Sequence, residues 1–135
     1  MNTTTQKLAG VFGVVFILIA IAGLLAKGGM AMQPTDPALA SKVFGMFPVN
    51  LLHNLVHLLF GVWALVASRS WAGSKQFFTV GGIIYAVLTI LGFVAPTGFG
   101  LVPLGGPDIW LHCLLAIVML AIGFTAKPVA TATAA

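Results

Sequence analysis

Four stretches of this chain, residues 8–26, 49–67, 77–95 and 109–126, run 18 or 19 residues each without a charged side chain. An α-helix needs ~20 mostly apolar residues to cross the hydrocarbon of a bilayer. A soluble bundle would need amphipathic helices to cover such segments, and a chain that is 60% hydrophobic and 6% charged has none to spare. The expected fold is therefore all-α. It is a polytopic membrane protein with four transmembrane helices in one domain spanning residues 1–135.

The four segments fall into two matched pairs. FGMFPVNLLHNLVHLL, from Phe44 to Leu59, aligns without a gap on FGLVPLGGPDIWLHCL, from Phe99 to Leu114, at an offset of 55. Phe44-Gly45 meets Phe99-Gly100, Pro48 meets Pro103, His53 meets Asp108 and His57 meets His112. The preceding segments, Val11–Ala26 and Val80–Ala95, align at an offset of 69, matching Gly13 with Gly82, Phe16 with Tyr85 and Gly23 with Gly92. The pattern predicts a tandem, parallel repeat of two helical hairpins, over about residues 8–67 and 77–126, forming a four-helix bundle. An up-down bundle would set the second and fourth helices across a diagonal, with His57 opposite His112.

Flanking basic residues orient the spans. Lys7, Arg69, Lys75 and Lys127 fall on one side; Lys27 and Lys42 fall on the other with Asp36 and Asp108, the only acidic residues. Both termini are expected in the cytoplasm, in a bacterial cytoplasmic membrane or another energy-transducing membrane. The first apolar run exceeds the ~7–15 residues of a signal-peptide core, and its match to the third span marks it as retained. The net charge of +4 belongs to the inner rim, so no nucleic-acid partner is expected. Cys113 is the only cysteine, which excludes an internal disulfide. Residues 1–6 and 128–135 read as short tails. Asp36-Pro37 reads as a helix start, predicting a short interfacial helix from Pro37 to Phe47, whereas the Gly/Pro-rich loop from Pro96 to Pro107 reads as irregular.

At about 100° per residue, Asn50, His53, Asn54 and Gly61 all lie within about 60° of His57 on the second helix. On the fourth, Asp108, Ala116, Met119 and Gly123 share the face of His112. Ionisable groups in hydrocarbon are costly and mark an interior face with a partner. One reading is structural, with Asn50, His53, Asn54, His57, Asp108 and His112 tying helix to helix, and Asp108 also capping the fourth helix. A second is a metal site, because His53/His57 and Asp108/His112 stand one helical turn apart and offer three nitrogens and a carboxylate, a set suited to zinc, copper or iron. In a variant, His57 and His112 are the axial ligands of a haem, with Gly61 and Ala116 leaving room for the ring. A chlorophyll held by one histidine is another. The matched glycines are expected to let helices approach closely, Trp71 and Trp110 to anchor at the interface, and Tyr85 and Trp63 to lie in the core. No serine nucleophile with a base, carboxylate pair or phosphate-binding glycine loop is present, so no catalytic residue is assigned.

With NLLHNLVHLLFG (Asn50–Gly61) and FGLVPLGGPDIWLHCLLA (Phe99–Ala116) in view, the chain resembles the bacterial four-helix integral membrane family catalogued as domain of unknown function 4383. The resemblance covers Leu8 to Phe124 and carries Asn50, His53, Asn54, His57, Asp108 and His112. It implies four spans and a small integral membrane protein, and it implies no activity. The expected role is that of a structural or accessory subunit packing in the bilayer, against itself or a larger complex. The alternatives are a metal- or tetrapyrrole-binding protein and a small transporter or proton pathway. Against the last, the cytoplasmic halves of the spans hold no ionisable group.

Overall fold

The computed structural model describes residues 3–128. Four helices carry the fold: α1 (Thr4–Leu25), α2 (Leu51–Ala67), α3 (Trp71–Val94) and α4 (Pro107–Thr125). Helices α1, α3 and α4 are long and apolar enough to cross a membrane; α2, with 17 residues, is apolar but shorter. Among the described residues the extended structure is a two-stranded antiparallel hairpin, β1 (Ser41–Val43) and β2 (Phe47–Val49).

Local chemistry sets the helix starts. Thr3 opens α1 with a capping box: its hydroxyl accepts from the Gln6 amide at 3.2 Å, and its own amide donates to Gln6 Oε1 at 3.0 Å. The start thus lies within residues 1–6, read above as a tail; residues 1–2 and 129–135 lie outside the described residues. Asn50 caps α2 by accepting from the His53 amide at 2.9 Å, and Ser70 caps α3 through the Gly73 amide at 3.0 Å. In α4, Pro107 takes the first helical position, so Asp108 falls second and caps nothing. Its carboxyl turns into the bundle instead, which corrects the expected capping role.

The expected helix from Pro37 to Phe47 is replaced by one turn and the hairpin. Asp36 does start the turn: its carboxylate accepts from the Ala38 amide at 2.8 Å. The turn then ends as Lys42 Nζ donates to the carbonyls of Pro37, Ala38 and Ala40. Phe44 and Gly45 both take positive φ (54° and 69°), as in a type I′ turn, and no helix can pass through them. Their counterparts Phe99 and Gly100, in the second loop, take φ values of 57° and 81°. That loop is otherwise irregular, with a single 3₁₀ turn at Gly98–Gly100.

Helix α1 packs along α2 and α3 along α4, while α3 also touches α1 and α2. Glycines make these approaches possible. A Cβ on Gly13 would come 2.7 Å from the Leu65 side chain, and one on Gly82 would come 2.7 Å from Leu120. Gly23 faces Asn54, and Gly92 faces Ile109. The pairs correspond at the offsets of 69 and 55. Between the helix pairs lies an aromatic core: Phe16 stacks on Tyr85 with ring centroids 6.0 Å apart, and Phe60 meets Tyr85 at 5.3 Å. Trp63 joins this core against Phe77 at 5.0 Å, whereas Trp110 is exposed. At one end Gln6 Nε2 donates to the Ser68 carbonyl, joining the start of α1 to the α2–α3 turn. At the other, Gln33 Nε2 donates to the Gly100 carbonyl and joins the two long loops.

Gly13→Leu and Gly82→Leu should each lower stability by about 1–3 kcal/mol through overpacking. Thermal loss of helical circular dichroism in micelles checks this, with Val87→Leu, at an exposed position, expected to leave the midpoint unchanged.

Candidate metal centre

The polar residues predicted to share one face divide into two chemically different groups. The asparagines are anchored. Asn50 Nδ2 donates to the carbonyls of Met32 (3.0 Å) and Leu101 (2.8 Å), so one side chain holds both long loops over the bundle end while its oxygen caps α2. Asn54 Nδ2 donates to the Gly29 carbonyl at 2.9 Å, tying α2 to the segment that follows α1, while its Oδ1 is buried without a partner. For these two residues the structural reading describes what the side chains do.

The histidines and the aspartate each leave a buried atom unbonded. His53 Nδ1, His57 Nδ1, Asp108 Oδ2 and His112 Nδ1 are all buried without a hydrogen-bond partner. A buried polar atom left unpaired costs about 1–3 kcal/mol, and more when charged. Such atoms are few in native proteins, and each calls for an explanation. Here four lie together.

His53 sits in the first turn of α2, Asp108 in the first turn of α4, and His112 one turn further along α4. His53, Asp108 and His112 are at most 5% exposed and bring one ligand atom each within 4.8 Å of one another. His53 Nδ1 stands 3.7 Å from Asp108 Oδ2. That is too long for a hydrogen bond. Two ligands each about 2.0–2.1 Å from a tetrahedral ion would stand about 3.3 Å apart. The observed gap is close to that spacing, and closing the trio, whose ligand atoms lie up to 4.8 Å apart, on one ion needs a contraction of up to about 1.5 Å.

His57, predicted as a fourth ligand, does not join the trio. Its ring lies 4.6 Å from that of His53, with the Phe16 ring 6.0 Å away. His112 has the matched neighbour, Tyr85, at 5.3 Å. Phe16 and Tyr85 are thus the aromatic walls of the histidine cluster, a role that the sequence analysis did not assign. Their matched positions were the available signal. Cys113, next to His112 in sequence, is only partly buried and stands outside the group.

The sequence profile of the family described as domain of unknown function (DUF4383) matches residues 6–125. The chain belongs to that family. No curated protein and no solved structure matches it. Membership accounts for almost the whole helical region and attaches no activity to it, so a functional reading rests on the geometry of the cluster.

Replacing a bonded group and replacing an unpaired one should differ in sign. Asn54→Leu should cost about 1–3 kcal/mol, because the Gly29 carbonyl loses its donor. In metal-free protein, His112→Leu should be neutral or stabilising, because no partner is abandoned. Thermal midpoints in micelles with a chelator present check both.

Proposed function

We propose that this chain is a small integral membrane protein that holds one divalent transition-metal ion between α2 and α4. The observation that carries the reading is the meeting of one ligand atom each from His53, Asp108 and His112 within 4.8 Å, in three buried residues that each keep a side-chain atom without a hydrogen-bond partner. Two imidazoles and a carboxylate suit zinc, and also iron or copper. Three protein ligands leave a tetrahedral ion one open position. The ring arrangement favours an ion over a haem or chlorophyll, because His53 packs against both His57 (4.6 Å) and His112 (6.0 Å) where a macrocycle between the two would lie.

The architecture proposed around the site is a four-span tandem repeat. Its support is the recurrence of contacts at matched positions: Gly13 on Leu65 and Gly82 on Leu120, Phe16 on His57 and Tyr85 on His112. Helix α2, with 17 residues, lies at the short end of the ~17–25 residues that span a bilayer, and it runs against the longer α1. Exposed Val14, Leu18, Ile90 and Ile117 suit a lipid surround. The excess of Lys and Arg at the end that carries the termini favours both termini in the cytoplasm of a bacterial membrane. The metal then sits in the outer leaflet, near the long loops.

Elemental analysis of protein purified gently from native membranes tests the metal. About one zinc, iron or copper per chain is expected, falling to background in Asp108→Ala and in the double variant His53→Leu/His112→Leu. Wild type that carries no metal, and takes up none after incubation with each ion, would overturn the reading.

A further inference from the structure

The metal reading leaves His57 unused, yet this residue lines two cavities at once. The larger, about 350 Å³, lies between α1, α4 and the β-hairpin. The smaller, about 100 Å³, lies between α2, α3 and the second loop. His57 and His112 border both. The two are also counterparts under the sequence offsets: Phe16, Ile19, Phe47 and Val49 line the first, and their matches Tyr85, Leu88, Val102 and Leu104 line the second. Phe60, the match of Leu115, packs against Tyr85 at 5.3 Å beside the smaller one. The larger one stays open.

The larger cavity has apolar walls, and exposed Val11 and Val15 at its border place its mouth on the outer apolar surface. Four phenylalanines, Phe12, Phe16, Phe44 and Phe47, line it. Its volume is at the lower end of the ~300–1,000 Å³ range of small-molecule sites. Its polar groups are His57, Asp108 and His112, and the metal reading uses the last two. An acyl chain from the bilayer would fill the walls but leave the His57 imidazole at their border without a partner. A planar ring with a carbonyl at its edge meets both demands: its faces pack on the phenylalanines, and its oxygen accepts a hydrogen bond from the His57 imidazole.

We infer that this cavity binds a lipid-soluble quinone-type ring, admitted from the bilayer past Val15 and recognised by the His57 N–H. The inference uses the membrane placement proposed above and is independent of the metal. The test uses the full chain in lipid nanodiscs, treated with chelator, with radiolabelled menadione as the probe and empty nanodiscs as the blank. Saturable uptake of about one probe per chain is expected. Val15→Trp, which plugs the mouth, and His57→Leu, which removes the donor, should each weaken binding about tenfold or more, the size of a lost buried hydrogen bond. His57→Asn, which keeps an N–H, should recover part of the loss. His57→Phe stands in if the leucine variant does not fold. Uptake no greater than in empty nanodiscs would overturn the inference. Unchanged binding in a folded His57→Leu or His57→Phe variant would do the same. Equal displacement of the probe by a saturated long-chain alcohol would make the cavity an acyl-chain site instead and overturn it too.

Discussion

Between helices as apolar outside as these, lipid is as good a neighbour as another helix. Association therefore depends on how closely backbones approach and on what hydrogen bonds they share. In this chain the approach is set by glycine at matched places. Gly13 and Gly61 let α1 and α2 come together until a Cβ on either would meet the other's backbone at 3.0 Å, and Gly82 does the same for α3 against Leu120 of α4. Everything in the centre follows from that spacing. The aromatic rings of Phe16, Phe60 and Tyr85 fill the space between the two tight pairs, and the histidines of α2 and α4 are brought into reach across it.

The polar groups then differ in what they bond, although Asn54 Oδ1 is itself buried without a partner. Asn50 and Asn54 each spend their donors on carbonyls of the long connections, fixing those connections over one end of the bundle. His53, Asp108 and His112 are buried as deeply, and each keeps a side-chain atom with no hydrogen-bond partner. A low-dielectric interior penalises such groups, and persistence of three in one place is hard to explain as packing. A bound ion would repay the cost by supplying the missing partner to all three. The same reasoning applied to His57, left over from the trio, points outward to the cavity beside it.

Much of this was legible in the chain. Hydropathy located the four helices to within a turn at most ends, and the matched glycines announced the close contacts. The offset of 55 put His53 opposite Asp108 in the alignment before any distance was known. What was not legible has physical causes. Helical periodicity placed Asn50 on a face, but the residue stands just outside α2, where the side chain folds back onto the helix start. The Asp36-Pro37 signal was real for one turn; the left-handed Phe44-Gly45 pair ended any longer helix, and its match in Phe99-Gly100 was the available clue. Spacing one turn apart grouped His57 with His53 as ligands. It could not foresee that His53 comes within 3.7 Å of Asp108 on α4 while His57 borders both cavities.

The most direct test of the central claim is a cobalt(II) titration of the chelator-treated protein, followed by visible absorption. The account predicts intense ligand-field bands of a tetrahedral ion that saturate at one cobalt per chain, and their absence when His53, Asp108 and His112 are replaced together. A spectrum that stays that of the hydrated ion throughout the titration would contradict it.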